Sequence, residues 1–222
     1  MKAWVELERV TLADGNTLTL AEHDGVHAIR VNGRELMSSR HSYSEEQLGV
    51  VGCEGLRERA GARVLIGGLG LGFTLRATLG ALRPDAHVTV AELLPEVVTW
   101  NQNPSYALAH AELADSRTEM VLGDVARVIE RATSQFDAIL LDADNETTAM
   151  NTAGNSWLYQ SAGLAAVHRA LTAAGCAVYW SAGEEPVFSK RFASSGFDVE
   201  VQRVRRHLSS KASHYLIVGR RR

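Results

Sequence analysis

An apolar strand, ARVLI, runs into Gly67-Gly68-Leu69-Gly70-Leu71-Gly72 and from there directly into the helical pattern FTLRATLGALR. Glycines at a strand-to-helix turn let the backbone fold sharply and let a ligand approach with no Cβ in the way. Such a run is a weak motif alone; the strand before it and the helix after it make Gly67, Gly68, Gly70 and Gly72 a candidate cradle rather than a plain tight turn. Glu92 ends the next strand, VTVAEL, with Leu93 beside it. An acid at that tip is placed to accept hydrogen bonds from both hydroxyls of a nucleotide ribose lying across the sheet. Asp124 follows EMVLG, with Val125 next, and Asp142 follows FDAILL. All these residues fall at the carboxyl ends of strands, where doubly wound sheets form their ligand crevice. Beyond Asp142, the run DADNETTAMNTAGNSW adds Asp144, Asn145, Glu146, Asn151 and Asn155 without a Lys or Arg. That concentration of acceptors suits a cationic or amine-bearing group. Asp142 is the expected base or amine-orienting group, supported by Asp144 and Asn145; Glu146 and Asn151 read almost as well as ordinary loop residues.

The elements that must position these residues are legible from their periodicity. From Ala62 onward strand and helix alternate: ARVLIGG, HVTVAEL, EMVLGD, FDAILLDAD and CAVYWSAG are strands separated by helical runs, one of them ended by Gly175. VEVQRVRR and SHYLIVGRR close the chain as an antiparallel pair. Strands apolar throughout are buried on both faces, as in a parallel sheet covered by helices. Residues 1–38 differ: WVELERVTL, TLTLAEH and VHAIRV are short and alternating, with Asp14-Gly15, Asp24-Gly25 and Asn32-Gly33 as hairpin turns. Ser42-Tyr43-Ser44-Glu45 has the form of a capping box for a helix running to about Arg59, with Leu48, Val51 and Leu56 as its buried stripe. Gly49, Gly52 and Gly55 count against that helix, at about 1 kcal/mol each. The expectation is a small N-terminal antiparallel β unit over 1–38 and a Rossmann-like α/β domain over 39–222.

Composition narrows the function classes. The 222 residues carry a formal charge of −3, which offers no footprint for nucleic acid or an anionic membrane. No apolar run approaches the roughly 20 residues that span a bilayer, and the charged, alternating N-terminus is not expected to act as a signal peptide. Two distant cysteines, Cys53 and Cys176, fit free thiols in a reducing cytoplasm. The abundance of Arg and Ala fits a GC-rich bacterial genome. The eight histidines form no HExxH or paired-ligand pattern, so no metal site is expected. No GxSxG elbow or Walker loop occurs. Trp100, Trp157 and Trp180 read as core or pocket wall, and the terminal Arg220-Arg221-Arg222 as a solvated tail.

Taken together, the N-terminal β unit, LMSSRHSYSEEQL, VLIGGLGLG, VAELLPEVV, LGDV and LLDADN resemble the spermidine synthase-like branch of the class I S-adenosylmethionine-dependent methyltransferase superfamily. The resemblance spans nearly the whole chain. It implies a seven-stranded, mostly parallel sheet with the last strand antiparallel, and pairing of two copies through the β unit. It places Gly68 and Gly70 against the methionine part of the donor, Glu92 on the ribose, and Asp124 near the adenine amine with Val125 beside it. Asp142 becomes the acid that orients and deprotonates an accepting amine. Polyamine-forming members carry an Asp within a GGGDGG-like loop, which helps hold the amine of decarboxylated S-adenosylmethionine; here Gly68–Gly72 holds no acid, and a Tyr-His-Glu run is changed to Ser44-Glu45-Glu46. Those departures favour intact S-adenosylmethionine. Arg40 is then a candidate partner for its carboxylate, though it reads first as a surface residue.

The expected function is therefore S-adenosylmethionine-dependent transfer to a small molecule, first methyl transfer to an amine- or carboxyl-bearing acceptor. Aminopropyl or aminocarboxypropyl transfer is the alternative, with decarboxylated S-adenosylmethionine as donor in the aminopropyl case. A non-catalytic adenosyl-ligand binder is the third reading.

Overall fold

A computed structural model describes residues 3–142, 153–207 and 212–222. The first strands are β1 (Val5–Thr11), β2 (Thr17–His23), β3 (Val26–Val31) and β4 (Arg34–Ser38), an antiparallel sheet in sequential order. The β2–β3 and β3–β4 turns are the two-residue pairs Asp24-Gly25 (φ 48° and 80°) and Asn32-Gly33 (φ 50° and 78°). Both central residues have positive φ, as tight right-twisted hairpins require. The sequence suggested strands only as far as Val31; RELMS adds the fourth because Arg34 and Glu35 pair back onto Val31 and Arg30.

The helix α1 (Tyr43–Gly52) follows and gives way at Glu54–Leu56 to a 3₁₀ turn, short of Arg59. Its expected capping box does not form. Ser42 sits in αR geometry without a cap bond, and its Oγ instead donates to Glu46 Oε1 at 2.8 Å. Two of the glycines that counted against this helix let it lie close on its neighbours. A Cβ at Gly49 would stand 2.8 Å from the carbonyl of Thr74, and one at Gly52 would stand 2.1 Å from Leu140 Cδ2.

The main sheet is built from β5 (Arg63–Gly67), β6 (His87–Glu92), β7 (Thr118–Leu122), β8 (Phe136–Leu141), β9 (Leu171–Ser181), β10 (Phe197–Arg205) and β11 (Ser213–Arg221). Between them lie α2 (Phe73–Ala81), α3 (Pro95–Gln102), α4 (His110–Leu113), α5 (Val125–Arg131), α6 (Ala153–Leu158), α7 (Ser161–Ala170) and α8 (Pro186–Ser194). The spatial order is β10-β11-β9-β8-β5-β6-β7. β5 to β9 run parallel, and β11 is antiparallel to both of its neighbours. This is the Rossmann-like seven-stranded sheet with a small N-terminal antiparallel unit. β9 starts earlier than CAVYWSAG suggested, because Leu171 already pairs with Phe136; Gly175 therefore lies within the strand and ends no helix.

Both faces of the sheet are covered. Val64 and Ile66 of β5 and Leu140 of β8 join one buried cluster, while Leu65, Ile139 and Leu141 join another. The alternation follows from the two-residue period of a strand. Leu18, Leu20, Ile29 and Val31 of the N-terminal sheet belong to the first cluster, so the small sheet packs into the same core. Among the described residues, no helix is long and apolar enough to cross a membrane.

Candidate active site

Chain order and spatial order diverge at β5: the chain proceeds outward through β6 and β7, then returns to lay β8 on the other side. The crevice at the carboxyl ends of β5 and β8 is the switch point at which such sheets bind ligands. There the backbone is tied across the strands, Gly68 N–H to Ala91 C=O at 2.9 Å and Asp142 N–H to Gly67 C=O at 3.1 Å. Gly68 has φ +96°, and a Cβ on it would lie 3.2 Å from the Asp142 carbonyl. An L side chain there is therefore both strained and crowded. Leu69 and Leu71 are 4% and 3% exposed and turn into the core, so the loop offers the crevice only its backbone.

A cavity of about 170 Å³ opens at this point. Gly67, Gly68 and Gly70 line it, as do Glu92 and Leu93 from the end of β6. Asp124, Val125 and Asp142 line it from the ends of β7 and β8. Gly72 does not. It faces α3 and α4, where a Cβ would stand 2.2 Å from Ala109 Cβ, so its role is close packing of the turn. Asp144 and Asn145 lie outside the described residues, with Glu146 and Asn151. Asn155 falls in α6, at a position whose side chain is likewise not described. Arg40 is exposed and away from the cavity.

Glu92 is 8% exposed and does more than line the wall. Its Oε2 accepts from Leu69 N–H at 2.8 Å and its Oε1 from Leu94 N–H at 2.9 Å. One carboxylate thus fixes the Gly loop to the entry of α3. Each oxygen of an ionised carboxylate retains a further lone pair for a ligand. Asp124 caps α5, its Oδ1 accepting from Ala126 N–H at 2.8 Å.

Of the opposite wall the sequence pointed only to Trp180, as core or pocket wall. Leu18, Ile29, Leu36 and Met37 of the N-terminal sheet close the cavity from above, with Trp180 at the end of β9. Glu45, in the first turn of α1, also lines it. Ser44 Oγ donates to Glu45 Oε2 at 2.5 Å, and His214 Nδ1 lies 2.9 Å from the same Ser44 oxygen. Burial pushes the Glu45 carboxyl above its ordinary range, with Glu46 adding to the rise; the Ser44 bond, the residue's own backbone N–H and Arg206 oppose it. The available signal was Ser44-Glu45-Glu46, which read as the start of a helix and as a departure from the family's Tyr-His-Glu run. Among the described lining residues the charged side chains are Glu45, Glu92, Asp124 and Asp142, with no Lys, Arg or His.

The chain matches no protein-family model and no curated protein. Its fold does have solved counterparts. It is similar to spermidine synthase from Thermotoga maritima at a TM-score of 0.76 and 16% identity, covering 98% of this chain and 72% of that one. It is also similar to a spermidine synthase in complex with the transition-state analogue AdoDATO, at a TM-score of 0.78 and 16% identity, covering 98% and 74%. The chain thus has the Rossmann-like spermidine synthase fold, a mostly parallel seven-stranded sheet with a small N-terminal antiparallel sheet.

Proposed function

We propose that the protein is an adenosyl-dependent transferase that moves an aminopropyl group from decarboxylated S-adenosylmethionine to a small cationic amine. The observation that carries this reading is the charge of the cavity: among the described lining residues, four are carboxylates and none is a Lys, Arg or His. A donor arm ending in an ammonium, and an amine acceptor, both suit such a lining; an α-carboxylate would meet no positive side chain among the described lining residues. The similarity in fold to spermidine synthases supports the same assignment. Methyl transfer from intact S-adenosylmethionine, the first expectation from the sequence, keeps one observation in its favour: the Gly loop offers no acid to an ammonium.

The cavity fits an adenosyl group. Gly67, Gly68 and Gly70 present backbone to the cavity, Glu92 supplies acceptors for ribose hydroxyls, and Asp124 and Val125 frame the adenine end. The sulfonium supplies an electrophilic carbon with a good leaving group. The residues of this chain then have to position the partners and remove a proton. Asp142 orients the acceptor's neutral amine. Its lone pair forms the new C–N bond as the C–S bond breaks toward sulfur, releasing methylthioadenosine, and Asp142 takes the amine proton.

Turnover mixtures with each donor and a panel of diamines and polyamines, resolved by mass spectrometry, test the reading. Methylthioadenosine accumulating in step with an aminopropylated amine supports it. S-adenosylhomocysteine accumulating with a methylated product replaces it with methyl transfer.

A further inference from the structure

Aminopropyl transfer requires something to hold the ammonium at the end of the donor arm, and the Gly loop does not do it. Leu69 and Leu71 point into the core, and the space before Gly70 is closed by Met37, whose Sδ would lie 3.0 Å from a Cβ at that position. We propose that Glu45, steadied by Ser44 and His214, is the ammonium-binding residue of this cavity and the residue that selects a donor arm lacking an α-carboxylate. The proposal rests on the aminopropyl reading and adds the determinant of its donor specificity.

Glu45 lines the cavity beside the end of the Gly loop. Its backbone carbonyl accepts from Thr74 Oγ1 at 3.2 Å, and Thr74 stands in the first turn of α2, directly after the Gly loop. Met37, which precedes α1 through the short turn Ser39–His41, covers Gly70 from the same side. Asp124 and Val125 stand after β7, at the start of α5, so the acid on α1 belongs to a different element from the adenine end. Ser44 is fully buried and its hydroxyl is committed. With its proton directed to Glu45 Oε2, it faces His214 Nδ1 as an acceptor, and this chain fixes the carboxylate's orientation. His214 is itself packed edge-on against Trp180, ring centroids 4.7 Å apart, and Trp180 is part of the cavity wall. A carboxylate withdrawn from water gains most from a cationic partner, and an α-carboxylate beside that ammonium would face Glu45 as a like charge.

The test is calorimetry on wild type and Glu45→Gln with three probes: decarboxylated S-adenosylmethionine, intact S-adenosylmethionine and methylthioadenosine, which has no amine. Glu45→Gln is expected to weaken the decarboxylated donor by about tenfold or more, the equivalent of about 1.4 kcal/mol. Methylthioadenosine should change by less than about twofold, and the preference over the intact donor should shrink by a similar factor. Glu45→Asp, which keeps the charge on a shorter arm, should restore part of the preference. Ser44→Ala should fall between wild type and Glu45→Gln. Equal losses for decarboxylated donor and methylthioadenosine would assign Glu45 to shaping the cavity and overturn the proposal, as would no loss for either. Failure of wild type to bind methylthioadenosine would instead overturn the underlying adenosyl reading.

Discussion

Removing the Glu92 carboxylate should damage the fold and the ligand site in separable amounts. In the free protein its two oxygens satisfy the backbone N–H groups of Leu69 and Leu94 at 2.8 and 2.9 Å, in a side chain 8% exposed. A buried N–H left without an acceptor costs about 1–3 kcal/mol, so Glu92→Ala should lose roughly 2–6 kcal/mol. In a domain of this size each kcal/mol moves Tm by about 2–4 °C, which gives a fall of roughly 5–20 °C. Glu92→Gln keeps one carbonyl oxygen and turns an NH₂ toward the other N–H, so about half that loss is expected. Thermal unfolding without ligand measures this part. For the ligand part, charge-assisted bonds to a ribose are worth about 1.5–3 kcal/mol each, so Glu92→Gln should bind methylthioadenosine roughly tenfold or more weakly. The 2′-deoxy analogue should lose affinity on wild type but little further on the variant. A Tm for Glu92→Ala within about 2 °C of wild type would refute the stabilising role, since by the same scaling that corresponds to no more than about 1 kcal/mol. Equal 2′-deoxy losses on both proteins would refute the ribose assignment.

Asp142→Asn should lower turnover by about 10²–10⁴-fold while leaving donor affinity nearly intact, as removal of a general base does; single-turnover rates set against calorimetry check it, and unchanged turnover would remove Asp142 from the mechanism. Gly72→Ala should destabilise more than Gly68→Ala, because its Cβ would overlap Ala109 at 2.2 Å in addition to adopting φ +83°. Urea unfolding of both variants tests the order, with the left-handed backbone alone costing about 1–2 kcal/mol. Glu45→Gln should raise stability at neutral pH. Burial raises the folded-state pKa of Glu45, so its ionised form costs the folded state stability above that pKa, and the cost disappears as pH falls below the ordinary carboxylate value. The difference in Tm between variant and wild type should therefore shrink toward zero in acid, and a constant difference across pH would contradict this source.

Much of the fold was legible because the strands of the main sheet are apolar runs ending in punctuation: VLIGG, VTVAEL and FDAILLD each place a chemically distinctive residue at a carboxyl end. That one-dimensional order maps onto the crevice directly, and Gly68, Glu92, Asp124 and Asp142 meet there. Gly72 lies off the cavity lining, and a glycine that packs closely looks in sequence like one that lets a ligand approach; the contact with Ala109, many residues away, is what sets it apart. Glu45 was missed for a related reason. Its place in the cavity depends on how the N-terminal sheet and α1 fold back over the Gly loop, a long-range arrangement with no local periodicity. The proposal about the donor rests on the same contact, which brings an acid of the facing helix to the cavity. Asp137 shows the converse. Buried at the amino end of β8, it accepts from Arg63 N–H and Thr172 Oγ1 and pairs with Arg59, an anchor of the sheet far from the crevice that nothing in FDAILL distinguishes from a solvated acid.

The central claim is that the cavity is built for an adenosyl donor whose arm ends in an ammonium without a carboxylate. The most direct measurement is a competition titration of wild-type protein with decarboxylated and intact S-adenosylmethionine under the same buffer and salt. The account predicts that the decarboxylated donor binds more tightly by at least about tenfold. Tighter binding of intact S-adenosylmethionine would contradict it and return the protein to methyl transfer.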